Sequence, residues 1–171
     1  MNPAIRFFVL LIALYLALYF IHQWIVLPHG LIDNFLNHVL SVASHNVLLF
    51  FNIPSSLKIV PYAPIANHYL YLGNKAMVFI GTACNGFLLY VLFGCFILLS
   101  QGQWWKKILF VLTGIITIFI LNVIRVIALL YALTIDPKLF EINHHYVFSF
   151  IVYGFIFLMW RYWLNRETKT V

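Results

Sequence analysis

The chain has 171 residues, of which 64% are apolar and only 8% are charged. Soluble domains carry about 25% charged residues, so this composition excludes an ordinary water-soluble domain and predicts a single integral membrane domain over residues 1–171. The net charge of +6 comes from scattered Lys and Arg without a contiguous basic patch, which argues against nucleic-acid binding and favours basic segments retained on the cytoplasmic side of a membrane.

The first predicted element is an apolar run from Ile5 to Leu27, which Pro28-His29-Gly30 ends. The run is longer than the apolar core of a secretory signal, and no small-residue cleavage site precedes Pro28. We therefore expect a retained membrane anchor that crosses the bilayer once.

The next segment, Leu31 to Phe51, has polar residues at spacings of three and four, which places them on one face of a helix. These residues are Asp33, Asn34, Asn37, His38, Ser41, Ser44, His45 and Asn46. The pattern favours a helix that lies at the membrane interface or packs against the bundle. A polar-faced fifth span is the alternative. The anchor and this helix together occupy residues 1–53.

Residues 54–81 contain three prolines and predict the one long non-helical region. Two alternating segments, His68 to Leu72 and Lys75 to Ile80, flank Gly73-Asn74 and predict a β-hairpin with a two-residue turn. An open hairpin cannot leave its edges unpaired in lipid. We therefore expect a small extracytoplasmic hairpin that caps one end of the helices.

Three further apolar segments predict spans at about residues 85–99, 108–133 and 144–163, within a catalytic helical core of residues 82–165. With the anchor, the predicted fold class is an all-α polytopic membrane protein of about four transmembrane helices, plus one amphipathic or fifth helix and the outward-facing hairpin.

The distribution of basic residues predicts the orientation. Trp104, Trp105, Lys106 and Lys107 form an aromatic and cationic loop typical of a membrane interface. The side that holds this loop also holds Arg6, Arg161, Arg166 and Lys169, whereas the other side holds Lys58, Lys75 and Lys138. We expect a multi-pass protein of the inner (cytoplasmic) membrane, with both termini cytoplasmic and the hairpin outside.

Three reactive or charged side chains fall at one predicted depth near the outer face. Cys84 lies 17 residues from Gln101, Arg125 lies 18 residues from Lys107, and His145 lies 16 residues from Arg161. Each separation corresponds to about 24–27 Å of helix. A thiol, a guanidinium and an imidazole in one layer are a suitable set for thiol acyl transfer.

Cys84 stands where an extended segment is predicted to enter a helix. In the first helical turn its thiol would face the positive end of the helix dipole, which favours the thiolate. The alternative is a small buried residue without a chemical role, which is our interpretation of Cys95. The two cysteines are eleven positions apart, about 16 Å along one helix, which is too far for a disulfide.

Arg125 lies inside an apolar run, where a charge is costly and usually functional. It is expected to anchor an oxyanion or a substrate carbonyl, with Asn122 one turn away on the same face, unless it only extends its charge to the outer interface. His144 and His145 begin the last span, and imidazole is the usual base for a thiol. Adjacent helical residues point about 100° apart, so only one histidine can face Cys84.

The order of these motifs resembles the exosortase/archaeosortase family, membrane-embedded cysteine transpeptidases proposed to cut C-terminal sorting signals of exported proteins. The resemblance rests on Ala83-Cys84-Asn85-Gly86, on Asn122-Val123-Ile124-Arg125 and on a histidine that opens the final helix, and it covers about Thr82 to Tyr153. The family motif usually reads A-C-S-G, so Asn85 is a departure. At 171 residues the chain would be a minimal short form.

The resemblance also bears on the choice of histidine. The family histidine is often followed by glycine four residues on. The small Ser149 follows His145 at that distance, whereas Phe148 follows His144, which favours His145 and leaves His144 as the alternative.

The resemblance implies a cysteine transpeptidase whose substrates are exported proteins with a C-terminal hydrophobic sorting helix. Cys84, Arg125 and His145 would be catalytic, with Asn122 and Asn85 in support, and no cofactor or metal is predicted. The first alternative is a non-catalytic module that binds metal or haem through His144, His145, His68 and Cys84, although no paired spacing such as C-x-x-C is present. The second alternative is an assembly scaffold. His22, His29, His38, His45 and His68 are otherwise interpreted as structural residues.

Overall fold

The computed structural model describes residues 2–73, 76–136 and 148–167, which form five helices and a small sheet. The helices are α1 (Pro3–Ile21), α2 (Leu31–Phe50), α3 (Phe87–Leu99), α4 (Trp104–Ile135) and α5 (Phe148–Glu167). The strands are β1 (Ser55–Val60), β2 (Asn67–Leu72) and β3 (Ala76–Ile80), all between α2 and α3 in sequence. The predicted class, helical with a small β element, is confirmed in outline.

The predicted anchor is continuous but changes its winding near its end. Asn2 caps the start of α1, where its Oδ1 accepts a hydrogen bond from the Ala4 N–H at 3.0 Å. α1 then passes into a wider π turn, His22–Val26, and a tighter 3₁₀ turn. Gly30 ends the segment with φ 65°, and a Cβ there would lie 2.1 Å from the carbonyl oxygen of Pro64. Only glycine allows the following loop this close to the helix end.

The polar face of α2 is turned toward the protein. Asp33, Asn37 and Ser41 are fully buried, whereas Leu31 and Phe50 are exposed on the outer side. α2 packs against α4 and against β1 and β2. The interpretation that α2 packs against the bundle is therefore correct, and half of its eight polar residues, Asp33, Asn37, Ser41 and Ser44, are buried inside the molecule, whereas His38 and Asn46 are exposed.

The sheet is antiparallel in the order β1-β2-β3. The predicted hairpin is present as β2 and β3, which pair from His68 with Ile80 to Leu72 with Ala76. The last pair leaves three residues between the strands rather than the predicted two. β1 is an additional strand that the sequence analysis did not predict, because Pro54 and Pro61 flank it and suggest a loop.

The lower core joins α1, α3, α4 and α5. Leu11, Phe93, Ile118 and Ile156 are buried within it, one from each of these four helices. A Cβ at Gly114 of α4 would lie 1.9 Å from the Phe93 ring, so this glycine lets α3 and α4 approach closely. This core corresponds to the helical bundle predicted from the apolar segments.

Two contacts mark the end of the bundle that contains the loop between α3 and α4. The Trp163 indole N–H donates to the Ser100 hydroxyl at 2.7 Å, and Lys107 Nζ donates to the Leu98 carbonyl at 3.0 Å. The ammonium of Lys107 also lies 5.0 Å from the Trp104 ring centroid. The end of α3, the start of α4 and the end of α5 therefore meet at one level.

The upper core lies at the opposite end and joins α2, the sheet and the second half of α4. It contains Leu40 of α2, Leu70 of β2, Ile80 of β3 and Val126 of α4, all 2% exposed or less. Cys84 belongs to the same cluster. The sheet thus covers the end of the bundle where Cys84 lies, as the sequence analysis expected.

Two of the described helical segments are long and apolar enough to cross a membrane, Ala4–His29 and Trp104–Ile135. α3 has 13 residues, or about 20 Å, and is shorter than the roughly 20-residue requirement. Conversely, α4 has 32 residues, or about 48 Å, and exceeds a hydrocarbon core of about 30 Å. The predicted count of four spans is therefore not confirmed. α3 is too short to cross the hydrocarbon core as a straight helix, and α4 is longer than the core is thick.

Candidate active site

Cys84 lies in the segment of residues 81–86 that connects β3 with α3, which we call the Cys84 turn. Its backbone N–H donates to the Gly81 carbonyl at 2.8 Å, and the residue is 9% exposed. The prediction that it sits in the first helical turn is wrong, because α3 begins only at Phe87, after Gly86 with φ 78°. The thiol therefore lies outside the helical turn on which the predicted dipole effect depended.

Cys84 and Cys95 are both free thiols. Cys95 is 3% exposed in the middle of α3, where it packs with the aromatic side chains of the lower core. Its surroundings agree with its interpretation as a small buried residue. Cys84 is also packed among apolar side chains, but the residue that follows it, Asn85, contacts a buried carboxylate.

Asn85 ties the Cys84 turn to two other elements. The residue is 2% exposed, and its amide Nδ2 donates to the carboxylate Oδ1 of Asp33 at 2.8 Å. Its Oδ1 accepts a hydrogen bond from the Phe87 N–H at 3.0 Å, which satisfies one of the free donors at the start of α3. Asn85, predicted as a supporting residue, thus connects the turn with α2 and with α3.

Gly86 and Asn122 form the contact between the Cys84 turn and α4. A Cβ at Gly86 would lie 2.1 Å from Asn122 Nδ2. Asn122 is fully buried, and neither of its amide atoms makes a hydrogen bond of good geometry with a described residue, although the Tyr90 hydroxyl is near enough to interact with it. Asn122 makes its close contact with the Cys84 turn, and its expected support of Arg125 stays a prediction.

Arg125 lies one turn beyond Asn122 on α4 and is half-buried. Its Nε is buried, and it has no hydrogen-bond partner in the described ranges. No carboxylate of those ranges pairs with its charge, since the ion pair found there joins His22 and Asp33. Such a guanidinium has donors available for an anionic or carbonyl oxygen.

A cavity of about 240 Å³ lies beside the Cys84 turn. Arg125, Thr82, Ala83 and Gly86 contribute to its wall, so the residues on both sides of Cys84 border the same space as the guanidinium. The remaining lining side chains are Tyr15, Phe87, Leu88, Leu89, Leu92, Phe148, Val152 and Tyr153, from α1, α3 and α5. This is a concave, mostly apolar site with one charged group, as expected of a binding pocket in a bundle.

The family model for transmembrane exosortases matches residues 4–162. The chain belongs to the transmembrane exosortase family. Membership indicates a membrane transpeptidase in general terms and a membrane location. No curated protein and no solved structure shows a significant match.

The family match covers more of this exosortase than the motifs in the sequence suggested. The motif resemblance began at Thr82, whereas the family match begins at residue 4 and includes α1 and α2. The N-terminal helices thus lie within the family match. Residues of this N-terminal part also approach the Cys84 turn.

Two such residues, His22 and Asp33, were missed by the sequence analysis. His22 Nε2 lies 2.9 Å from Asp33 Oδ2, and both side chains are buried. Asp33 then reaches the Cys84 turn through Asn85. The sequence did contain an indication of both residues: His22 is an imidazole in an apolar segment, and Asp33 is an acid on the polar face of a helix. Ionisable groups within a membrane are costly and usually functional.

His144 and His145 lie outside the described residues of the exosortase. The nearest described residue is Phe148, the first of α5, whose side chain lines the cavity. The role of either histidine therefore stays a prediction from the sequence.

His68 lies in the sheet, on the same side as the upper core. Its Nδ1 is 2.9 Å from the Ser41 hydroxyl, and its ring centroid is 6.0 Å from that of His38. Burial lowers the pKa of His68 from its ordinary value of 6.5, and the neighbouring His38 lowers it further. Over the described part of the chain, no three His, Cys, Asp or Glu side chains gather as metal ligands would.

Proposed function

We propose that this exosortase is a cysteine transpeptidase that cleaves C-terminal sorting signals of exported proteins and transfers them to an acceptor. The observation that carries the proposal is the cavity of about 240 Å³, which the Arg125 guanidinium and the neighbours of Cys84 line together. Cys84 itself packs in the upper core next to this cavity, so the proposal requires its thiol to turn toward the space that the guanidinium borders. A nucleophile and an oxyanion donor that share one site are the arrangement that acyl transfer requires.

In the proposed reaction, the Cys84 sulfur attacks the carbonyl carbon of the scissile peptide bond. His145, or His144 as the alternative, takes the thiol proton and then delivers it to the nitrogen of the leaving segment as the C–N bond breaks. The product is a thioester on Cys84. An acceptor amine or a water molecule then attacks that thioester, gives up a proton and releases the thiol.

Arg125 is proposed to stabilise the negative oxygen of the tetrahedral intermediates. Its Nε is buried without a described partner, so a substrate oxygen would not have to displace an existing protein bond. In an apolar cavity, a donor that already points at the developing charge costs little reorganisation. Asn122 would act indirectly, by holding the Gly86 backbone and with it the Cys84 turn.

The substrates are proposed to be exported proteins that end in a hydrophobic helix. An apolar groove of about 570 Å³ runs between α2 and α4, and Ile124, Ile127 and Ala128 line its α4 side. All three lie within one helical turn of Arg125. A lipid-embedded helix seated in this groove would bring its polar end near the guanidinium.

The orientation is proposed to be cytoplasmic at both termini, with the Cys84 turn at the outer face. The Phe7 and Phe96 rings pack edge to face at 5.3 Å, so α1 starts at the level where α3 ends. That end also carries Lys107 and the Trp104 ring. Basic and aromatic side chains at one end favour its placement on the cytoplasmic side.

A thioester trap tests the proposed reaction. Membranes that contain the wild-type chain and co-expressed exported proteins are quenched rapidly, and the mass of the Cys84 peptide is measured before and after hydroxylamine. We expect an adduct that hydroxylamine removes, and none in Cys84→Ala. Full processing of exported proteins by Cys84→Ala would overturn the proposal and favour an assembly scaffold.

A further inference from the structure

We propose that His22 and Asp33 are positioning residues that hold the Cys84 turn through Asn85. The inference rests on the nucleophilic role of Cys84 in the proposed function, but its test does not require a substrate. It assigns a role to two N-terminal residues that do not line the cavity beside the turn.

Four residues form a closed ring of contacts next to Cys84. His22 Nε2 is 2.9 Å from Asp33 Oδ2, and Asn85 Nδ2 donates to Asp33 Oδ1 at 2.8 Å. Asn85 Oδ1 accepts from the Phe87 N–H at 3.0 Å, and the Phe87 ring stacks on the His22 ring at 4.2 Å and 25°. The ring therefore restrains Asn85, the residue that directly follows the nucleophile, from both sides.

The ring joins three elements that are far apart in sequence. His22 opens the π turn after α1, Asp33 lies in the first turn of α2, and Asn85 belongs to the Cys84 turn. A π turn within an α-helix is uncommon and often occurs at functional sites. Here the change in winding begins at the residue whose ring meets both Asp33 and Phe87.

The burial of the ring argues against a purely stabilising role. Asp33 is 0% exposed, His22 is 4% exposed and Asn85 is 2% exposed. Desolvating a carboxylate is costly, and buried polar clusters are often no more stable than apolar side chains of the same volume. Such a cluster instead fixes the relative positions of its members, because each carboxylate oxygen of Asp33 has its own partner, His22 or Asn85.

The test measures how fast iodoacetamide alkylates Cys84 in the purified full-length protein in lipid nanodiscs. Cys95→Ala is the background, so that Cys84 is the only thiol. Asp33→Asn removes the charged acceptor that both His22 and Asn85 contact, and Asn85→Asp places two carboxylates together. We expect each change to release the buried turn and to accelerate alkylation by about fivefold or more, the scale of one lost buried hydrogen bond.

The double variant Asp33→Asn with Asn85→Asp restores one carboxylate and one amide with their positions exchanged. We expect its alkylation rate to return to within about twofold of the background, since the donor and acceptor pattern is re-formed. Ser100→Ala is the matched control, because it removes a buried hydrogen bond to Trp163 at the opposite end of the bundle. Its rate is expected to stay at the background value.

Single variants that alkylate at the rate of Ser100→Ala would overturn the inference, and so would a double variant without recovery. If Asp33→Asn does not yield folded protein, His22→Leu removes the contact with Asp33 while leaving the carboxylate and Asn85 in place, and it is expected to accelerate alkylation in the same way. Failure of the proposed function appears elsewhere, as full processing by Cys84→Ala, so the two results are separable.

Discussion

The backbone of Gly86 lies against the side chain of Asn122, so closely that a Cβ at position 86 would come within 2.1 Å of the Asn122 Nδ2. This contact joins the Cys84 turn to α4 one helical turn before Arg125. It therefore couples the position of the nucleophile to that of the guanidinium, and it can be tested by adding a single methyl group.

Gly86→Ala is expected to destabilise the protein and to abolish processing. The residue has φ 78°, which costs an L-residue about 1–3 kcal/mol before the clash with Asn122 is considered. Thermal unfolding in detergent measures the loss of stability. Gly94→Ala in α3 is the control, because no atom of the described residues outside its own stretch of helix lies within 4 Å of its added Cβ, and α-helices favour alanine by about 0.5–1 kcal/mol. Equal behaviour of the two variants would refute the close-contact argument.

Arg125→Met and Arg125→Lys are both expected to reduce processing by about 10²–10³-fold, the usual effect of losing an oxyanion donor. Lysine keeps the charge but lacks the planar fork of donors, so it should not rescue activity. The melting temperature should change little, because the guanidinium has neither a hydrogen bond nor an ion pair in the ranges that the structure describes. Ile120→Ala, at an exposed position of α4 that lines neither the cavity nor the groove, is the control that should retain activity.

Cys84 and Cys95 are expected to behave in opposite ways when each is changed to alanine. Cys84→Ala should lose all processing, with a loss of stability no larger than that of Cys95→Ala, since Cys84 is 9% exposed at the edge of the upper core. Cys95→Ala should keep processing but lose about 1 kcal/mol of stability, since Cys95 is 3% exposed in the lower core. Processing of an exported protein, followed by its shift in gel mobility, distinguishes the two. Comparable activity in both variants would remove Cys84 from the mechanism.

The stability of the sheet is expected to fall as the pH is lowered through the titration of His68. Its folded pKa lies below the ordinary value of 6.5, so the unfolded state binds more protons between those two values. Stability is therefore full above pH 6.5 and is lost as the pH falls toward the folded pKa. Melting temperatures at about pH 7.5 and about pH 5 measure the effect. His68→Gln should flatten this dependence, whereas the exposed His29→Gln should not.

Ala128→Trp is expected to weaken substrate binding by filling the apolar groove between α2 and α4. A bulky ring there would compete with the terminal helix of a substrate, which should raise KM more than it lowers kcat. Ile116→Trp, at a residue of α4 that is 60% exposed and lies outside the groove, provides the control. If the two tryptophan variants change KM and kcat to the same extent, the substrate helix does not bind in the groove.

Much of the helical architecture follows from local patterns that the sequence displays directly. The apolar run that became Ala4–His29 and the run that became Trp104–Ile135 were both predicted within a few residues. The hairpin was recognised because alternating residues flank a glycine turn. β1 was missed because its prolines indicated a loop, and the start of α3 was placed too early because the turn around Cys84 consists of short-range bends rather than helix.

The candidate site was only partly predictable for a different reason. Cys84 and Arg125 were identified because a thiol and a charge stand out in apolar segments, and the cavity borders Arg125 and the neighbours of Cys84. His22 and Asp33 were not, because each appeared as an isolated polar residue. Only a pairing between distant segments reveals their connection.

The sequence by itself determined the membrane class and the approximate positions of the helices, because hydropathy and helical spacing are local properties. Only the tertiary structure decided that the polar face of α2 turns inward and that Asp33 meets Asn85, a partner 52 positions away. Such contacts depend on how separate helices pack, and a buried carboxylate selects its partner by geometry rather than by distance along the chain.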